Sequence, residues 1–154
     1  MTYFVGIDPG LVSGAWAVIK HNGAFVACGD IPHDNGRVQP RLLKKALQES
    51  IPAGESAEIV IEQVHSMPNQ GVASTFAFGQ ACGVIYAVTS LMLVPCHFIT
   101  PQHWKSHFDL IKQPKSASLE LARSIWEQAP LKLMKHHGRA EALLMAEYGR
   151  QSFQ

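Results

Sequence analysis

Tyr3-Phe4-Val5-Gly6-Ile7-Asp8-Pro9-Gly10 opens the chain and decides how the rest is read. The apolar run from Phe4 to Ile7 reads as a buried strand, and Asp8-Pro9-Gly10 ends it with turn chemistry. Strands over 14–20 and 24–29 follow, with Asn22-Gly23 between them as a strong hairpin signal, because both residues tolerate positive φ. A helix around 41–49 places Leu42, Leu43, Ala46 and Leu47 on one side. After it come a short strand over 58–62, a long apolar helix over about 72–92, and a fifth strand at 96–99. Thr100-Pro101 starts the next helix, with Thr as N-cap and Pro at the first helical position. Further helices are expected over 115–129 and near the C-terminus. This order fits an α/β chain built on a mixed sheet with helices on its faces.

Bulk properties narrow the class. The 154 residues read as one domain, 1–154, and an apolar share of 47% with only 16% charged residues excludes a disordered chain. Cys28, Cys82 and Cys96 have no CxxC spacing and read as small buried hydrophobes of a reducing cytosol. The strand-like start gives the expectation of no signal peptide and a cytoplasmic protein. Between Glu62 and Lys105 there is no Asp, Glu, Lys or Arg, yet the continuous apolar part is shorter than the roughly 20 residues of a membrane span. A helix buried on most sides, partly by a second copy of the chain, is expected there, and no membrane partner. Gly79 and Gly83, four apart, would let another backbone approach closely. The net charge of +1 hides an asymmetry: residues 105–139 hold seven basic residues against three acids, a modest footprint for nucleic acid.

Three acids interrupt structure that would otherwise be apolar. Asp8 ends one buried strand, Glu62 ends another after Ile59-Val60-Ile61, and Glu141 sits among Ala140, Leu143, Leu144 and Ala146 of the last helix. A lone acid at a strand end is usually a turn or cap residue, but three in one small domain shift the balance. Carboxylates that meet inside a protein repel one another and need a divalent cation, and oxygen-rich sites suit Mg²⁺ or Mn²⁺. The recurring chemistry of such a site is two-metal phosphodiester cleavage. His137, four residues before Glu141, projects from the same side of its helix. Its imidazole is a poor Mg²⁺ ligand, acceptable to Mn²⁺, or a group that shuttles a proton. Zinc is not expected: His103 and His107 are four apart on a helix, but Trp104 stands where HExxH needs glutamate.

Gly6-Ile7-Asp8-Pro9-Gly10, Ile61-Glu62-Gln63-Val64 and the His-Gly-Arg-Ala-Glu-Ala-Leu-Leu segment from His137 resemble the RuvC-type Holliday-junction resolvases. Phe78-Gly79-Gln80-Ala81-Cys82-Gly83 and Thr100-Pro101-Gln102-His103-Trp104-Lys105 belong to the same resemblance, which therefore covers essentially the whole chain. It implies a ribonuclease-H-like fold, a mixed five-stranded sheet with helices on both faces. It also implies that Asp8, Glu62 and Glu141 bind the metal ions, Mg²⁺ or Mn²⁺ and two per site, with His137 as a further candidate ligand and catalytic group. The bacteriophage members look closest; they commonly carry an acid where this chain has His137.

The same resemblance places Lys115 near the scissile phosphate, where its charge would stabilise developing negative charge. Lys105, Lys112 and Arg139 are the further candidates for contact with the DNA backbone. His65 follows the metal-binding strand where family members often carry an aromatic residue, and an imidazole can stack on a base. The function implied is a metal-dependent endonuclease that resolves four-way DNA junctions by paired symmetric nicks leaving 5′-phosphate ends. A two-fold symmetric junction asks for a homodimer, with the helix over 72–92 as the candidate interface. Two rivals are a less selective nuclease for branched DNA or RNA, and a catalytically weakened junction-binding protein.

Overall fold

The computed structural model describes residues 1–153. Its strands are β1 (Thr2–Asp8), β2 (Ala15–Lys20), β3 (Phe25–Asp30), β4 (His33–Asp34), β5 (Arg37–Val38), β6 (Ser56–Glu62) and β7 (Cys96–Ile99). Its helices are α1 (Pro40–Ser50), α2 (Val72–Ser90), α3 (Pro101–His107), α4 (Lys115–Ile125) and α5 (His137–Ser152), the last entered through a 3₁₀ turn at Met134–His136.

Five strands form one mixed sheet in the order β3-β2-β1-β6-β7. β1, β2 and β3 pair antiparallel as a meander, whereas β6 runs parallel to β1 and β7 parallel to β6. The meander turns where the sequence signals it. Gly23 takes φ +84°, and the Asn22 side chain accepts the Ala24 N–H at 3.1 Å. The central strands are buried on both faces, so Val5, Ile7, Ile59, Val60 and Ile61 have no exposure. One apolar layer packs the sheet against α3, α4 and α5, and a second packs it against α1 and α2. Helices thus cover both faces, as expected.

Three details differ from expectation. A two-stranded ribbon, β4-β5, sits before α1, closed by Asn35 and Gly36 at positive φ. α4 ends at Ile125, because Trp126 leaves helical geometry and its indole N–H donates to the Gly23 carbonyl at 2.9 Å. The third concerns α2. It is long and apolar enough by length and composition to cross a membrane, and the expectation is burial on most sides, partly by a second copy of the chain. Only Ala81, Cys82, Ile85, Val88 and Thr89 are buried, because the sheet and α1 cover one side of it. The opposite stripe stands open: Val72 is 89% exposed, Phe76 68% and Leu91 67%, with Gly79, Gly83 and Ala87 exposed between them. A Cβ built on Gly79 or Gly83 would meet nothing within 4 Å. The three cysteines are free.

Candidate active site

Because β1 and β6 are parallel neighbours with Ile7 opposite Ile61, the next residues, Asp8 and Glu62, end the two strands side by side at the same end of the sheet. The carboxyl ends of parallel strands are where open α/β sheets gather polar groups. Glu141 reaches them from α5, and two glycines explain how. Any side chain at Gly6 would run into the Ala142 carbonyl, so α5 lies against the backbone of β1 itself. Gly138 rests on the Ser13 carbonyl, and a Cβ there would lie 3.6 Å from Asp8 Oδ2. The sequence motif Gly-Arg-Ala-Glu-Ala supplies small residues where helix and sheet touch, and the glutamate beside them is carried inward.

The electrostatics record the crowding. Burial pushes the Asp8 carboxyl well above the usual carboxylate range, and the charges of Glu141 and Glu62 and a hydrogen bond shared with Glu141 raise it further. Glu62 is raised as well, first by burial and then by Glu141, against the lowering effect of a hydrogen bond from Trp104. Lys105 is the lysine whose positive charge acts on both carboxyls. His137 Nδ1 is the one buried side-chain nitrogen or oxygen, among the described residues, that lacks a hydrogen-bond partner.

The structure therefore brings Asp8, Glu62 and Glu141 into one cluster and places Lys105 beside it. Among the described residues no three His, Cys, Asp or Glu side chains already close into a ligating group. The donor set still fits a divalent cation. Burial and the charge of Glu141 raise the Asp8 and Glu62 carboxyls, which positive charge would relieve, and His137 offers a buried ring nitrogen without a hydrogen-bond partner.

The other expected residues fall in different places. Lys115 is exposed at the first position of α4, and Lys112 is exposed with φ +61°. Arg139 is held by Asp30 through two hydrogen bonds of 2.8 and 3.1 Å and donates to the Pro130 carbonyl. His65 is exposed in the loop after β6, on a cleft of about 180 Å³ that it shares with Thr75, Phe78 and Tyr86.

One residue in contact with the acids was not singled out from the sequence. Trp104 of α3, fully buried, donates its indole N–H to Glu62 Oε2 at 2.7 Å, and the Lys105 ammonium lies 5.4 Å from the centroid of its ring. The available signal was a tryptophan in the helix that follows β7, the strand paired with β6.

Comparison with known proteins gives consistent results. The family model described as crossover junction endodeoxyribonuclease RuvC matches residues 4–113. A crossover junction endodeoxyribonuclease RuvC of Azorhizobium caulinodans is 35% identical over 91 residues, 55% of this chain and 53% of the relative. One from Rhodopseudomonas palustris (strain TIE-1) is 36% identical over 93 residues, 56% of this chain and 52% of the relative. The chain spans about half the length of the curated relatives it matches. Among solved structures, T. thermophilus RuvC in complex with Holliday junction substrate superposes with a TM-score of 0.69. That match covers 97% of this chain and 96% of the other at 16% identity, and it establishes the fold.

Proposed function

The chain belongs to the RuvC family of crossover junction endodeoxyribonucleases, and from that premise we propose that it is a divalent-metal-dependent endonuclease resolving four-way DNA junctions. The whole chain, 1–154, acts as one nuclease domain. The observation that carries the reading is the convergence of Asp8, Glu62 and Glu141 from β1, β6 and α5 at one end of the sheet.

Asp8, Glu62 and Glu141 would hold Mg²⁺ or Mn²⁺, two ions per site, with His137 Nδ1 as a nitrogen ligand. When bound, the cations supply charge that offsets the phosphate's negative charge and eases deprotonation of the attacking water. The chain's own residues do the rest. The carboxylates fix where the scissile phosphate stops at that end of the sheet, and α5 excludes water from behind them. Lys105, beside the acids, draws the DNA backbone in and keeps the cluster from repelling it. Lys115 and Lys112, exposed on the following segment, extend that contact along an arm of the substrate. Cleavage leaves 5′-phosphate and 3′-hydroxyl ends.

A junction has two-fold symmetry, so two sites must face opposing strands. The open stripe of α2 supports a homodimer: Val72, Phe76, Gly79, Gly83, Ala87 and Leu91 share one side, carry no charge and stand exposed among the described residues. His65, at the exposed end of β6, would then stack near the junction centre. Sequence readout is weak in this arrangement, and selectivity comes from branch shape and the spacing of the two sites.

The test is cleavage of a labelled four-way junction beside linear duplex, splayed arms and an RNA–DNA hybrid, each in Mg²⁺ and in Mn²⁺. Paired symmetric nicks confined to the junction are expected. Equal cutting of every substrate would leave a general nuclease, and tight binding without cutting in either metal would leave a junction-binding protein.

A further inference from the structure

A buried indole needs one acceptor for its N–H, and a backbone carbonyl normally suffices. Trp126 follows that pattern, donating to the Gly23 carbonyl at 2.9 Å. Trp104, equally buried, gives its N–H to a carboxylate instead, Glu62 Oε2, at 2.7 Å across 42 residues of sequence. The arrangement is built from the strand order. β7 pairs with β6 so that Ile99 stands opposite Glu62. Thr100 caps α3 by accepting the His103 N–H, which fixes the helix start one residue after that pairing. Trp104, within the first turns of α3, is thereby delivered to Glu62.

Resting on the carboxylate reading above, we infer that Trp104 is a positioning residue that fixes Glu62 for the divalent cation. The indole occupies Oε2 and leaves Oε1 as the oxygen Glu62 offers. Indole suits this task because it donates and never accepts, stays neutral at every working pH, and cannot compete for the ion. The same ring carries Lys105, whose ammonium lies 5.4 Å from its centroid. One side chain thus sets the place of a ligand and of the positive charge nearest to it. Partners of this kind, one bond removed from the metal, typically change metal affinity by about 10- to 100-fold when lost.

The experiment compares Mn²⁺ affinity, read by calorimetry and by the Mn²⁺-dependent rise in Tm, for wild type, W104F, E62A and the double variant. W126F serves as a control for losing a buried indole away from the acids. The expected result is an affinity loss of about 10-fold in W104F, none in W126F, and no added loss for W104F in the E62A background. In cleavage, W104F should raise the Mn²⁺ concentration needed for half-maximal rate more than it lowers the rate at saturating metal. Should W104F fail to fold, the wild-type indole N–H resonances decide: Mg²⁺ and E62A must each displace the Trp104 signal well beyond those of Trp16 and Trp126. Equal Mn²⁺ affinity in wild type and W104F, equal losses in W104F and W126F, or an unmoved Trp104 resonance would overturn the inference while leaving the carboxylate reading intact. No Mn²⁺ binding by the wild type would overturn both.

Discussion

Helices α2 and α5 invert the usual relation between apolar sequence and burial. α2 has 19 residues without a charged side chain, yet a whole stripe of it is open. α5 carries Arg139, Glu141, Glu147 and Arg150, yet nine of its 16 residues are buried, including every position from Ala142 to Glu147. The difference lies in what the small residues meet. Gly138 and Ala142 of α5 face backbone, the Ser13 carbonyl and Gly6, so the helix sinks onto the sheet and brings Glu141 with it. Buried Glu147, which it takes along, is given partners: it accepts from Arg150 at 2.6 and 2.7 Å and from Gln151. Gly79 and Gly83 of α2 have nothing among the described residues within 4 Å of a built Cβ. Small residues matched to a backbone decide how close two elements come, while hydropathy alone decides only that cover is wanted.

The largest effect should come from breaking the seat of α5. Gly6→Val would force α5 off β1 and cost about 3–5 kcal/mol in chemical denaturation, with cleavage lost alongside. Glu141→Gln keeps that packing and removes one charge from the cluster, so the cleavage rate should fall about 10³-fold while the far-ultraviolet spectrum stays unchanged. Asp8→Asn should separate stability from activity. The raised carboxyls of Asp8 and Glu62 hold protons in the folded chain that the unfolded chain would release. Stability of the metal-free protein therefore declines as pH rises from about 4, the unfolded value, through the raised folded values. Removing the Asp8 charge flattens that decline and raises metal-free stability at pH 7 by about 1 kcal/mol while abolishing cleavage. The smallest effect on chain stability belongs to α2. Gly83→Leu should leave it unchanged or raise it by up to about 1 kcal/mol through helix propensity, yet convert dimer to monomer in sedimentation.

Much of this contrast was legible in the chain because it is local. Asn22-Gly23 marks the hairpin, Thr100-Pro101 marks the start of α3, and Asp8 and Glu62 announce themselves by ending apolar runs. The Asn35-Gly36 ribbon carries the same kind of signal, but two-residue strands leave no periodicity to find. What could not be read locally depends on partners far apart in sequence. Arg139, a candidate DNA contact in the sequence, is set by folding against Asp30, 109 residues away. Trp104 had no role in the sequence beyond its place in the Thr100–Lys105 motif; the β6–β7 pairing is what puts Glu62 in front of it. The cover of α2 is a related case: its apolar sequence predicts cover, and the sequence does not say how much of that cover belongs to the same chain.

The account stands or falls on whether the acids gathered by α5, β1 and β6 hold the ion. Anomalous diffraction from crystals soaked in Mn²⁺ tests this directly. The expected result is a peak contacted by Asp8, Glu62 and Glu141 that disappears in Glu141→Gln. A Mn²⁺ peak elsewhere on the chain, or none at the acids in a preparation that still cleaves junctions, would contradict it.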